Sequence, residues 1–275
     1  MKKKMMLALA GALALGFVLN GCGDGSGRGT KSDAELVYAV EAGSAGEEAA
    51  KAKSVLYNSV ASQADALTEV ASGTSDAAII DLLMAGAMIG EGTSYPDMVC
   101  TDELTTEKYG VGCRKGSDLA SYINAVFYES YSDGSMEALA EEYGLQEALL
   151  VQKEAEYTPG ADSDVAYIQN KGTLIVGITD FAPMDYIDDS GEWTGFDADM
   201  ARRVAEKLGV EVQFVVIDWD TKVVELDAGN LDVVWNGMTL TGEVLEAMEC
   251  TNPYCKNAQV VVVPTNANGH GESEK

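Results

Sequence analysis

Twice along this 275-residue chain, short runs rich in β-branched residues alternate with segments whose apolar side chains recur at helical spacing. In the second half, LIVGI at 174–178 is followed by Met200, Val204 and Leu208 four residues apart. VQFVVI at 212–217, a helical stretch ending at Leu226 and LDVVW at 231–235 complete the series. The first half repeats the rhythm with LVYAV at 36–40, helical periodicity over 47–53 and 64–70, a strand at 77–80 and a helix over 82–89. Period-2 runs read as strands and 3.6-period runs as amphipathic helices. Their strict alternation predicts mostly parallel sheets covered by helices, an α/β fold in two lobes.

The N-terminus places that fold outside the cytoplasm. Lys2, Lys3 and Lys4 precede an apolar core over 5–19 that is too short to span a membrane, the pattern of an export signal. Cys22 follows Leu19-Asn20-Gly21, a sequence resembling the lipobox of bacterial lipoproteins, with Asn20 departing from the usual small or apolar residue; a plain secretory signal is the alternative. Lipidation at Cys22 would anchor the mature chain to the membrane through the flexible GDGSGRGTKS tether. The formal net charge is −27, and it becomes more negative once three lysines leave with the signal. Such a balance repels nucleic acid. It leaves the ligand open, because the charge of a pocket can oppose that of the molecule.

Four further cysteines, 100, 113, 250 and 255, permit two disulfides in an exported protein. Cys250 and Cys255 flank the turn-forming TNPY and are expected to pair, while a Cys100–Cys113 bridge is a second possibility. No C-x-x-C spacing occurs, and the one histidine, His270, lies in a Gly-rich tail, so neither metal nor cofactor is expected.

The motifs GITD-F-AP at 177–183, W-T-GFDADMARRVAEKLGV at 193–210 and WNGMT at 235–239 resemble the first part of amino-acid-type extracellular solute-binding proteins, family 3, the receptor subunits of ABC importers. VEAGSAGE at 40–47, SDAAIID at 75–81 and YGVGCRKGSDL at 109–119 resemble that family's second part. Here the second part comes first, so the resemblance implies a two-lobed type II periplasmic-binding-protein-like fold in circularly permuted order. The expected division is a signal at 1–21, a tether at 22–32, lobe 2 at 33–106 and an interlobe hinge strand at 107–115. Lobe-1 helices follow at 116–150, then a linker at 151–165 and the main part of lobe 1 at 166–257. A second hinge strand at 258–264 is interrupted by the permutation, leaving 107–115 as the sole covalent hinge, and a disordered tail covers 265–275. A tandem pair that lost its outer halves would give the same chain, and a domain-swapped dimer is possible.

The site residues follow from strand ends and helix starts. Ser44 and Ala45 open a helix whose N-terminus suits a carboxylate, or else form a simple capped turn. Asp81 ends an apolar strand, where the resemblance implies a partner for a ligand ammonium and local chemistry offers an N-cap. Asp180 and Phe181 follow one strand and Trp219 follows another. Family aromatics at the positions of Phe181 and Trp219 sandwich ligand side chains, with core packing as the alternative. Asn236, Gly237 and Thr239 match a ligand-receiving loop. Val244 stands where relatives commonly place a carboxylate-gripping arginine, which valine cannot replace. Either Lys222 substitutes, or it is a solvated helix lysine and the ligand lacks an α-carboxylate. Glu41 favours cations.

The implied function is a lipid-anchored extracellular receptor, not an enzyme, that closes on an amino acid or related amine and delivers it to an ABC permease. A sensory receptor that no longer transports, or a dehydratase acting on prephenate-like acids, are the rivals.

Overall fold

A computed structural model describes residues 35–159 and 163–265. The signal, Cys22 and the tether lie outside the described residues, as does His270. The chain opens with β1 (Val37–Glu41), α1 (Ala45–Lys53), β2 (Leu56–Val60), α2 (Gln63–Ser72), β3 (Ala77–Asp81) and α3 (Leu82–Met88). β1 pairs in parallel with both β2 and β3. The AAIID run of β3 is buried at every position, as expected of a parallel strand covered on both faces.

β4 (Met98–Glu103) leads through β5 (Glu107–Tyr109) and β6 (Gly112–Cys113) toward a second sheet, covered in part by α4 (Leu119–Ser132) and α5 (Ser135–Glu142). Ile123, Val126 and Phe127 form the buried face of α4. Residues 150–159 are fastened to this half of the molecule. The Leu150 amide donates to the Tyr254 carbonyl (2.8 Å) and the Tyr157 hydroxyl to Asp118 (2.8 Å). Ser163 caps α6 (Asp164–Lys171), which therefore begins inside the expected linker.

β7 (Thr173–Ile178), the hairpin of β8 (Tyr186–Ile187) and β9 (Trp193–Thr194), α7 (Phe196–Leu208) and β10 (Glu211–Val216) follow. A 3-10 turn at Trp219–Thr221, α8 (Lys222–Asp227), β11 (Val233–Val234), α9 (Gly242–Ala247) and β12 (Glu249–Cys250) complete the half. The second sheet has the order β10-β7-β11-β6-β12, its first three strands parallel and β6 and β12 added antiparallel.

The last strands differ from expectation. β13 (Cys255–Asn257) pairs antiparallel with β5, and the chain then runs directly into β14 (Gln259–Pro264). β14 lies between β3 and β4, antiparallel to both, so the first sheet has the order β2-β1-β3-β14-β4. Two covalent crossings therefore run side by side, and 107–115 is not the sole hinge. QVVVVP is an interior strand because its first four residues are buried between ladders on both sides; Cys255–Asn257 makes the crossing.

The expected Cys250–Cys255 disulfide is absent, and all four described cysteines are free thiols. Cys250 is held in the second sheet by pairing with β6, whereas Cys255 is held by β5 in the crossing ribbon. Tyr254 ties the ribbon to the core. Its ring centroid lies 6.4 Å from Tyr109, 5.6 Å from Phe127 and 6.0 Å from Phe196.

Candidate ligand cleft

Because β1 and β3 are parallel, Glu41 and Asp81 emerge at the same end of the first sheet. The loops after β10 and β11 face them from the second sheet. Between the two lies a cleft of about 220 Å³, to which both halves contribute: Glu41, Ser44, Ala45 and Asp81 on one wall, Trp219, Lys222, Asn236, Gly237, Thr239 and Val244 on the other.

The α1 terminus is capped reciprocally. Ser44 Oγ accepts from the Glu47 amide (3.1 Å) and Glu47 Oε2 accepts from the Gly43 amide (3.1 Å), a variant of the S-x-x-E capping box in which the carboxylate reaches the amide one residue before the cap. Ser44 thus serves as an N-cap and also lines the cleft.

Asp81 makes no capping bond to α3. Its carboxylate instead accepts from Tyr109 (2.7 Å), from Gln259 (3.1 Å) and from the side-chain amides of Gln63 and Asn257. Asn257 and Gln259 also donate to Glu107 Oε2 (3.1 and 3.0 Å), which accepts the Thr239 hydroxyl too (2.9 Å). The two walls and both crossings thereby share one polar network. Burial, reinforced by the charge of Glu107, raises the Asp81 pKa to about 7.

Glu41 is the most buried of the acids lining the cleft. It is 3% exposed, and its Oε1 finds no hydrogen-bond partner among the described residues. Desolvation, then the charge of Asp81, raises its pKa to about 8 against the opposing pull of Gln63 and Lys222.

Lys222 spans the cleft. Its ammonium donates to the Gly43 carbonyl of the opposite wall (2.8 Å) and to the Trp219 carbonyl (3.1 Å), 4.9 Å above the Trp219 ring. It is buried rather than solvated, and desolvation lowers its pKa despite the acids around it. Gly43 makes the contact possible: with φ +69°, a Cβ there would lie 2.6 Å from the Asp220 Cα.

Asn236 is locked against β7, accepting from the Thr179 amide (2.9 Å) and donating to its hydroxyl (2.7 Å). The Gly237 amide donates to Asp197 Oδ2 (2.7 Å), which also accepts from Tyr254 (2.7 Å). Asp185, fully buried, sits beside Asp197 with neither oxygen hydrogen-bonded among the described residues. Desolvation and mutual repulsion raise the pKa of Asp185 well above the carboxylate range, and desolvation raises that of Asp197 to about 7.

Phe181 and Asp180 are not brought to the cleft. Phe181 is 2% exposed and packs beneath Gly237, where an added Cβ would meet its ring at 2.2 Å. The missing side chain of Gly237 is the space the ring fills. Asp180 is exposed, near Asp65 of the other half. Val244 lines the cleft as part of an apolar cluster with Trp219, Met238 and Met248. Gln63, Glu107, Asn257 and Gln259 were missed by sequence reasoning. The signal for the last two was present: polar residues flanking Ala258 at the head of an apolar strand demand buried partners.

Residues 174–270 match the model of the bacterial extracellular solute-binding proteins, family 3. Over that stretch the chain is similar to that family. The match takes in one wall of the cleft and the second crossing, while Glu41, Ser44 and Asp81 precede it. A probable amino-acid ABC transporter-binding protein of Haemophilus influenzae is 36% identical over 37% of this chain and 40% of its own length. The cyclohexadienyl dehydratase of Pseudomonas aeruginosa is 28% identical over 37% of this chain and 38% of its own. Among solved structures, domain 1 from TmArgBP in its arginine-bound form is 30% identical, with 36% of this chain and 86% of that one covered and a TM-score of 0.32. The chain thus spans about two fifths of the length of these curated relatives.

Proposed function

We propose that this protein is an extracellular receptor that captures a small amino-acid-like solute between its two α/β halves and presents it to an ABC transporter permease, anchored by lipid at Cys22. The observation that carries the reading is the cleft itself, built from strand ends of both halves and joined behind by two crossing strands. Such a joint permits hinge closure, and a ligand touching both walls stabilises the closed state. Binding rather than dehydration is the better reading. Six acids line the cleft against two lysines, so a prephenate-like dianion meets repulsion and no arginine grips it.

The order of the halves is read as a circular permutation. β14 is antiparallel to β3 and β1 is parallel to it, so Pro264 and Val37 lie at the same end of one sheet, about 10 Å apart across β3. A short connection there, with a cut in 150–163, would restore the family's order.

A thermal-shift screen of the exported chain against amino acids, amines and small peptides tests the receptor. A ligand present at a hundred times its Kd contributes about 2.7 kcal/mol, and a midpoint rise of several degrees is the expected result. Silence across the whole panel overturns the proposal.

A further inference from the structure

The walls of the cleft differ in how they treat charge. The helix N-terminus on one wall already has a carboxylate beside it, because Glu47 accepts the Gly43 amide while Ser44 accepts the Glu47 amide. Val244 lines the wall with methyl groups, and no arginine is among the lining residues. Of the two lining lysines, Lys51 is exposed and paired with Glu47 at 2.9 Å, and Lys222 is committed to two carbonyl oxygens. A ligand carboxylate entering here would meet Glu48, Asp220 and Glu243 and find no free fork to hold it.

A cation meets the opposite conditions. Glu41 Oε1 is buried, unpartnered and on the cleft wall. An unmet acceptor in such a place costs free energy until a donor arrives. The Trp219 face is already taken by the Lys222 ammonium, so the six lining acids are what the cleft offers a further cation.

We infer that the cleft selects a compact organic cation without a carboxylate, a primary amine or a guanidine, over the corresponding α-amino acid. Glu41 would accept from the cationic head, and the acids at the rim would attract it while excluding carboxylates. The inference rests on the receptor reading above and names the ligand class of that same site.

Matched pairs that differ by one carboxylate isolate the point. Calorimetric titration of the full exported chain at pH 7.5 would compare 1,5-diaminopentane with L-lysine and agmatine with L-arginine. In at least one pair the carboxylate-free member is expected to bind tenfold or more tightly. Glu41→Gln, which keeps the side chain's shape, should weaken that binding at least tenfold without lowering the melting midpoint of the unliganded protein. The inference is overturned if the amino acids bind as tightly as their amines, or if only uncharged-side-chain amino acids such as L-glutamine bind. Either result leaves the receptor intact. No binding by any of these, or by the wider panel, would remove the receptor reading as well. The paired comparison on the unaltered protein stands even where the Glu41 variant fails to fold.

Discussion

Burial of acids is the dominant chemistry at the scale of single residues. Glu41, Asp81 and Asp197 have pKa values of about 8, 7 and 7, each raised first by desolvation. All three lie above their unfolded values, so the folded state holds more protons across the interval. Their contribution to stability is complete below about pH 4 and is lost as pH rises toward 8. Scanning calorimetry of the unliganded protein should therefore show the midpoint falling by several degrees from pH 5 to pH 8, with a shallower fall in Asp197→Asn. Asp81→Ala strands donors from Gln63, Tyr109, Asn257 and Gln259. Each unmet buried donor costs about 1–3 kcal/mol, so a loss of roughly 3 kcal/mol in denaturant unfolding is expected even after partial rearrangement. Sequence reasoning reached Ser44, Asp81 and Lys222 because strand ends and helix starts mark themselves locally. It left Phe181 between ligand contact and core packing because an aromatic after a strand can turn either way. The choice was made 56 residues later by Gly237, which no local pattern announces.

Among the elements, the close approach of the 41–44 turn to the 3-10 turn at Trp219 sets how far the walls come together. Gly43 holds a left-handed φ of +69° with Asp220 against it. Gly43→Val adds both backbone strain and a collision, and the lobes should rest further apart. Small-angle scattering is expected to give a larger radius of gyration than the parent, with ligand affinity at least tenfold weaker by calorimetry. The long elements were legible from period alone: α7 repeats its apolar residues at near-helical spacing and β3 is an unbroken apolar run. β11 and β12, of two residues each, carry too little pattern to read. β4 was hidden for another reason. It is an edge strand exposed at five of six positions, so its sequence follows the solvent rather than the sheet.

Over the whole molecule, two α/β units were readable from the alternation of periods, but the path between them was not. A strand such as QVVVVP is apolar wherever it lies, and only pairing with β3 and β4 distinguishes an interior strand from a severed crossing. With both crossings continuous, closure should have the amplitude of an ordinary two-segment hinge, and scattering profiles with and without ligand should differ accordingly. The permutation has its own test. A chain reordered to start at Ser163, with a short linker from Pro264 to Leu36 and an end after Leu150, should fold and bind with affinity within a fewfold of the parent. Failure to bind despite a cooperative melt would tell against that reading of the order.

Val37 and Pro264 begin and end their strands at the side of the first sheet opposite Glu41 and Asp81. Whatever precedes or follows them therefore pulls on the outer pole of one half, about 15 Å of strand away from the cleft. A mechanical load or a fused reporter applied there leaves the other half free to swing. In a surface-tethered molecule, the half carrying Trp219 and Lys222 becomes the moving jaw and the half carrying Glu41 and Asp81 the fixed one.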